Sequence, residues 1–182
     1  MLAAGRSSRF ASANKLVVPF RGRPVALHAA KALSSVDFGC RIVVCSRPLP
    51  VDWTGLGFEE LPVAAGGTMS ASIAAGVARL RTTDLGACLI ALADMPFVPP
   101  SHFRALVAHE TTAVLATSRD GRKMVPARFT RGLWDELEAL SGDNGARELL
   151  QAAPAIEVPA RWLADIDTRE DLERLAQREA GE

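Results

Sequence analysis

Short apolar runs separated by longer amphipathic stretches dominate this chain: residues 2–4, 41–45, 87–93 and 113–117 reach only three to seven residues each. Runs of that length between Gly, Pro and polar residues read as buried strands. Their alternation with helical stretches is the pattern of a parallel sheet covered by helices on both faces. Two further strands are expected at 125–129 and 156–158, and helices at 24–33, 70–80, 101–109, 131–140, 145–152 and 168–178. Pro24 suits a first helical position, Ser101 an N-cap after two prolines, and Thr168 with Asp171 a capping box. The expected class is α/β, with a mostly parallel sheet in a single domain over 1–182. No linker divides the chain, and residues 177–182 read as a fraying tail. The run before Gly5 is so brief that the first strand is expected to be short.

Ligands of open parallel sheets bind beyond the carboxyl ends of the strands, so the polar residues just after the apolar runs are the first candidates for function. After the first run stand Gly5 and then Arg6-Ser7-Ser8-Arg9, with Lys15 further on. A glycine there lets backbone N–H groups approach a polyphosphate, while the arginines and the lysine supply countercharge. Neither Gly-x-Gly-x-x-Gly nor Gly-x-x-x-x-Gly-Lys-Ser/Thr is present, so a nucleotide would be held differently. The same residues also fit a plain surface turn with solvated arginines. Asp94 comes after the run 87–93 and precedes Met95-Pro96, as a functional carboxylate or as a turn former. The segment Gly66-Gly67-Thr68-Met69-Ser70-Ala71-Ser72 opens a helix whose N–H groups and dipole favour a polar or anionic group, or is a glycine turn with a serine cap. Asp165 and Asp167 stand just before the last helix; capping accounts for Asp165.

Composition excludes several classes. With 48% hydrophobic residues the chain can bury a sizeable core. The 21 basic side chains balance the 21 acidic ones, so no global field draws in nucleic acid or an anionic membrane. No run is long enough to span a bilayer, and no signal peptide is apparent, so a cytoplasmic location is expected. Cys40, Cys45 and Cys88 form no C-x-x-C pair and read as small buried hydrophobes. No heptad face predicts an obligate dimer, and a monomer is the default.

The segments LAAGRSSRF…NK, GGTMSASIAAGV, ALADMP, GDNGARELL and DIDTREDLERL succeed one another in this order. In that order they resemble the MobA-like nucleotidyltransferases, and within them the molybdenum cofactor cytidylyltransferases, from Leu2 to about Leu175. The resemblance implies a three-layer Rossmann-like nucleotidyltransferase fold, with a nucleotide-binding half at about 1–100 and an acceptor-binding half at about 101–176. It implies Mg²⁺ as cofactor and transfer of a nucleoside monophosphate to a terminal phosphate with loss of pyrophosphate. Leu2, Ala3, Ala4, Gly5, Ser7, Ser8, Arg9 and Lys15 would bind the nucleotide and its triphosphate, with Gly67, Ser70 and Ser72 against the base. Asp94 and Asp167 would hold the metal, and Arg9, Lys15 and Asp94 would be catalytic. Asp143 and Pro126 would face the acceptor. Ala4, where the guanylyl branch usually has a second glycine, points to CTP. The partners implied are CTP, a phosphorylated pterin and an apo-molybdoenzyme of the xanthine dehydrogenase type.

In-line attack by a phosphate oxygen on the α-phosphorus asks for positioning and charge neutralisation rather than a protein nucleophile, which suits these residue types. The sequence departs from the family at Ala11, usually glycine, and at Met124-Val125, which replaces Gly-His or Gly-Asn ahead of Pro126. The same fold acting with GTP, or on another phosphorylated acceptor such as a sugar phosphate, is one alternative. A non-catalytic maturation or delivery protein is another.

Overall fold

A computed structural model describes residues 1–5, 14–110 and 112–177. In chain order its elements are β1 (Leu2–Ala3), β2 (Pro19–Phe20), β3 (Arg23–Pro24), α1 (Val25–Ser34), β4 (Ile42–Cys45) and β5 (Glu59–Pro62). Next come α2 (Met69–Leu80), β6 (Ala87–Ile90), α3 (Pro100–Ala108), β7 (Val114–Arg119), β8 (Arg122–Thr130), α4 (Trp134–Ala139), α5 (Arg147–Gln151), β9 (Ala155–Glu157) and α6 (Arg169–Gln177). Short turns of 3₁₀ helix stand at Lys15–Val17, Arg131–Leu133 and Ala160–Leu163.

The sheet runs β5-β4-β1 on one side and β6-β8-β7-β9 on the other. A parallel bridge between Leu2 and Leu92 joins the two, with Leu2 N–H donating to Ala91 O at 2.8 Å and Ala93 N–H to Leu2 O at 3.0 Å. Every pairing in it is parallel except those of β8, which runs antiparallel to both β6 and β7. The reversal is made by Asp120-Gly121, where both residues take positive φ, 52° and 75°. Such a two-residue turn matches strand twist and closes a hairpin. Asp120-Gly121 is thus the hairpin signal within the polar stretch between the expected strands at 113–117 and 125–129.

Two apolar clusters on opposite sides of the sheet define the three layers. β4 is buried at all four positions, as a strand covered on both faces must be. Ala26, Ala30 and Leu33 of α1 and Phe103 of α3 pack with Val43, Cys45 and Ala91. Ile73 and Val77 of α2, Trp134 and Leu137 of α4 and Leu150 of α5 pack with Cys88, Ile90, Ala127 and Phe129. A third, smaller cluster of Phe20, Val25, Ile166 and Leu175 seats α6 on the β2–β3 turn. Met1 extends the pairing of β1 with β4: its N donates to Ile42 O at 2.7 Å and its carbonyl accepts Val44 N–H at 3.0 Å.

The expected helices and strands stand where the sequence places them, with local corrections. Pro24 is the N-cap of α1 rather than its first residue, and Pro99 caps α3 with Pro100 at the first position, so Ser101 lies inside the first turn. The Thr168–Asp171 box forms, with Asp171 N–H donating to Thr168 Oγ1 and Thr168 N–H to Asp171 Oδ2, both at 3.0 Å. β5 is a strand beyond those expected: Glu59-Glu60-Leu61-Pro62 is a half-exposed edge strand, where charges and proline protect the open edge and hide the apolar pattern. Among the described residues no helix is long and apolar enough to cross a membrane.

Candidate active site

The carboxyl ends of β1 and β6 lie side by side, and the segments that leave them build one cleft. It is lined by Leu2, Ala3, Ala4 and Gly5 from β1 and its exit, Lys15 and Leu16 from the 3₁₀ turn, and Gly67, Thr68, Met69 and Ser72 from the start of α2. Leu92, Asp94 and Asp143 complete it. Its volume of about 430 Å³ falls within the usual range for small-molecule sites, about 300–1,000 Å³.

Each polar group owes its place to local structure. Lys15 opens the 3₁₀ turn, whose N-cap Asn14 accepts the Leu16 N–H on its side chain at 3.2 Å. Asp94 ends the β6 strand path at Met95-Pro96, and its carbonyl accepts Ile166 N–H at 3.1 Å. That bond ties the β6 end to the loop before α6 and brings Asp167 beside Asp94. The Lys15 ammonium joins the two: Nζ is 2.6 Å from Asp94 Oδ2 and also donates to Asp167 Oδ1. Burial opposes the Lys15 charge, but the two carboxylates outweigh it and raise its pKa above the ordinary lysine value.

Among the described residues Asp94 Oδ1 is buried and accepts no hydrogen bond, and a buried carboxylate oxygen left unmatched is costly. The donor set of two carboxylates beside the cleft suits a hard divalent cation, which usually takes one or two carboxylates together with substrate oxygens and water. Among the described residues no cluster of three His, Cys, Asp or Glu forms a complete protein cage. Asp165 is close enough for Asp167 and Asp94 to raise its carboxyl pKa, after burial as the larger cause. The α6 cap is made by Thr168 and Asp171 instead of Asp165.

At the start of α2, Thr68 is the N-cap and accepts Ala71 N–H on Oγ1 at 3.1 Å. Gly66 takes φ +78° in the turn ahead of it. Ser72 lines the cleft and donates its hydroxyl to Thr68 O at 3.2 Å. Ser70 is turned away: it is buried, its N–H donates to Gly142 O at 3.4 Å, and its hydroxyl has no partner among the described residues.

The cleft thus brings together Leu2, Ala3, Ala4, Gly5, Lys15, Gly67, Ser72, Asp94 and Asp143 of the expected site residues, with Asp167 joined through Lys15. Ser7, Ser8 and Arg9 lie outside the described residues. Pro126 does not line the cleft. It is buried in β8, where its carbonyl accepts the Thr117 hydroxyl at 2.6 Å. Met124 and Val125 pack half-buried against the two cores. Thr68 and Met69 belong to the segment that the sequence reading sets against the base without singling them out, although a threonine ahead of a helical run is a capping signal.

Residues 1–158 match the model of the MobA-like NTP transferase domain. The purine catabolism protein PucB of Bacillus subtilis is 28% identical over 189 residues, covering 94% of this chain and 92% of PucB. The crystal structure of Rv0371c from Mycobacterium tuberculosis superposes with a TM-score of 0.82 at 23% identity, covering 97% of this chain and 95% of that one. The same protein in complex with manganese gives 0.79 at 22% identity, covering 97% and 96%. Molybdopterin-guanine dinucleotide biosynthesis protein A from Archaeoglobus fulgidus gives 0.67 at 20% identity, covering 100% and 97%.

Proposed function

The chain belongs to the MobA-like NTP transferase family, and we propose that it transfers CMP from CTP to the terminal phosphate of molybdenum-loaded molybdopterin, with Mg²⁺ as cofactor. The products are molybdopterin cytosine dinucleotide and pyrophosphate. The observation that carries this reading is Asp94 at a strand end, with Oδ1 buried and without a hydrogen-bond partner among the described residues, and Lys15 and Asp167 beside it.

A phosphate oxygen of the acceptor attacks the α-phosphorus as the bond to the bridging oxygen of the β-phosphate breaks, and pyrophosphate leaves with that electron pair. The attacking oxygen is already anionic, so no side chain needs to take a proton, and catalysis reduces to alignment and charge neutralisation. Gly5, with open space where a side chain would stand, lets backbone N–H groups reach the triphosphate. Arg9 adds countercharge. Asp94 and Asp167 would hold the Mg²⁺, which neutralises charge on the transferring phosphoryl group when bound. Lys15 fixes both carboxylates and adds its own positive charge beside the reacting phosphate. The start of α2, with Gly67 and Ser72 in the cleft, would lie along the nucleoside.

Ala4 supports CTP over GTP through the family resemblance. Xanthine dehydrogenase-type hydroxylases oxidise purines, and the relative PucB is named for purine catabolism; that agreement supports a pterin acceptor destined for such an enzyme. The test is pyrophosphate release with Mg²⁺, molybdenum-loaded molybdopterin and each of CTP, GTP, ATP and UTP, with Asp94→Asn as the blank. Release with CTP alone is expected. Release with GTP alone overturns the base assignment, and silence with all four overturns the acceptor assignment.

A further inference from the structure

Met69 is the one large hydrophobic side chain left exposed among the described residues, at 39%, and it stands in the wall of the cleft. Its sulfur rests on Gly145, a buried residue of the loop ahead of α5. A Cβ at Gly145 would lie 2.7 Å from Met69 Sδ and 3.1 Å from Cγ, so the contact exists only because that position has no side chain. Gly142 and Gly145 both take left-handed φ, +74° and +55°, which glycine adopts without the penalty other residues incur. Ser70 N–H donates to Gly142 O, and Ala146 is buried in the same cluster as Ile73 of α2. Three contacts therefore tie residues 142–146 to the first two turns of α2, and Asp143, held between the two glycines, lines the cleft.

We propose that Met69, seated on Gly145, is a positioning residue of the acceptor subsite: it latches the 142–146 loop so that Asp143 faces the cleft. This rests on reading the cleft as a nucleotidyl-transfer site. An ionised carboxylate only accepts hydrogen bonds and repels a triphosphate. Asp143 therefore suits N–H donors on a heterocyclic acceptor rather than the phosphates of the nucleotide. The loop that carries Asp143 has no helix or strand of its own, so the seating of Met69 decides where that carboxylate stands.

The test compares wild type, Met69→Ala and Met69→Leu by amide hydrogen exchange over 142–146, by calorimetric titration with CTP, and by KM for molybdenum-loaded molybdopterin. Met69→Ala is expected to speed exchange over 142–146 and to raise the acceptor KM roughly tenfold, within the range of couplings between residues in contact. Its CTP affinity is expected to fall by a smaller factor than the acceptor KM rises, because the residues assigned to the triphosphate are untouched while the start of α2 lies along the nucleoside. Met69→Leu is expected to restore exchange and KM, since leucine conserves most of the volume on Gly145. Unchanged exchange in Met69→Ala overturns the latch, and a CTP affinity that falls as far as the acceptor KM rises reassigns Met69 to the nucleotide. A wild type that binds CTP but does not use the pterin removes the acceptor assignment under the proposed function, and exchange over 142–146 then decides the latch by itself.

Discussion

Lys15 Nζ lies within bonding distance of both Asp94 and Asp167, so one ammonium bridges two carboxylates beside the buried Asp94 Oδ1. Removing either partner has a different signature. Asp94→Asn keeps the shape and removes the charge that would hold a cation. We expect turnover to drop by roughly 10²–10³, the scale of losing one preorganised electrostatic group, while the thermal melt stays close to wild type. A variant with unchanged pyrophosphate release would take Asp94 out of the chemistry. Lys15→Met removes a cation that both carboxylates share, one of them partly exposed. It should cost about 1–3 kcal/mol of stability as well as activity, less than for a fully buried pair because solvent screens Asp167; urea denaturation measures the first and pyrophosphate release the second. At this scale much is legible in the sequence. Asp94 and the strand-end glycine can be placed from where apolar runs stop. The pairing of Lys15 with Asp167, 152 residues away, depends on Ile166 bonding to Asp94 O, a tertiary contact that no local pattern encodes. Met69 is opaque for a related reason, since its partner is a glycine whose only signal is the absence of a side chain.

Secondary elements are readable where burial imposes a period. α2 combines a threonine cap, a glycine turn and apolar residues at helical spacing, and β4 and β6 are short apolar runs whose sheet neighbours bury them. Elements shaped by the surface are harder to read, as Glu59–Pro62 shows: an edge strand gains its hydrogen bonds from β4 while its side chains read as loop. The start of α2 matters to both fold and cleft, because Thr68 Oγ1 takes up an N–H that the helix leaves open. Thr68→Ala should cost about 1 kcal/mol, which for a chain of this size lowers Tm by roughly 2–4 °C. Thr68→Ser should recover most of it, since serine caps as well as threonine. A calorimetric scan of the three proteins checks this, and an unchanged Tm in Thr68→Ala would mean that packing of Ile73 and Val77 alone holds the helix start.

Across the whole molecule, two histidines are placed where burial disfavours the charge. His28, whose ring nitrogen lies 2.8 Å from Phe20 O, is lowered chiefly by burial with nearby cationic side chains assisting. His102 is lowered by burial alone. The Thr117 hydroxyl donates to Pro126 O, so at the 2.7 Å contact with Thr117 the His102 Nε2 is the donor, and the chain His102–Thr117–Pro126 pins α3 to β7 and β8. Each of these two rings binds its proton less tightly folded than unfolded. The unfolded chain therefore carries extra protons in the window between the two pKa values, and stability rises with pH there. For both histidines the window ends near the ordinary value of about 6.5. Urea denaturation at about pH 5, 6, 7 and 8 should show stability climbing from the most acidic point and levelling above about 7. His102→Gln can still donate to Thr117 but cannot take up a proton, so it should flatten part of the climb below about 6.5, and a slope unchanged in that variant would place the acid sensitivity elsewhere in the fold.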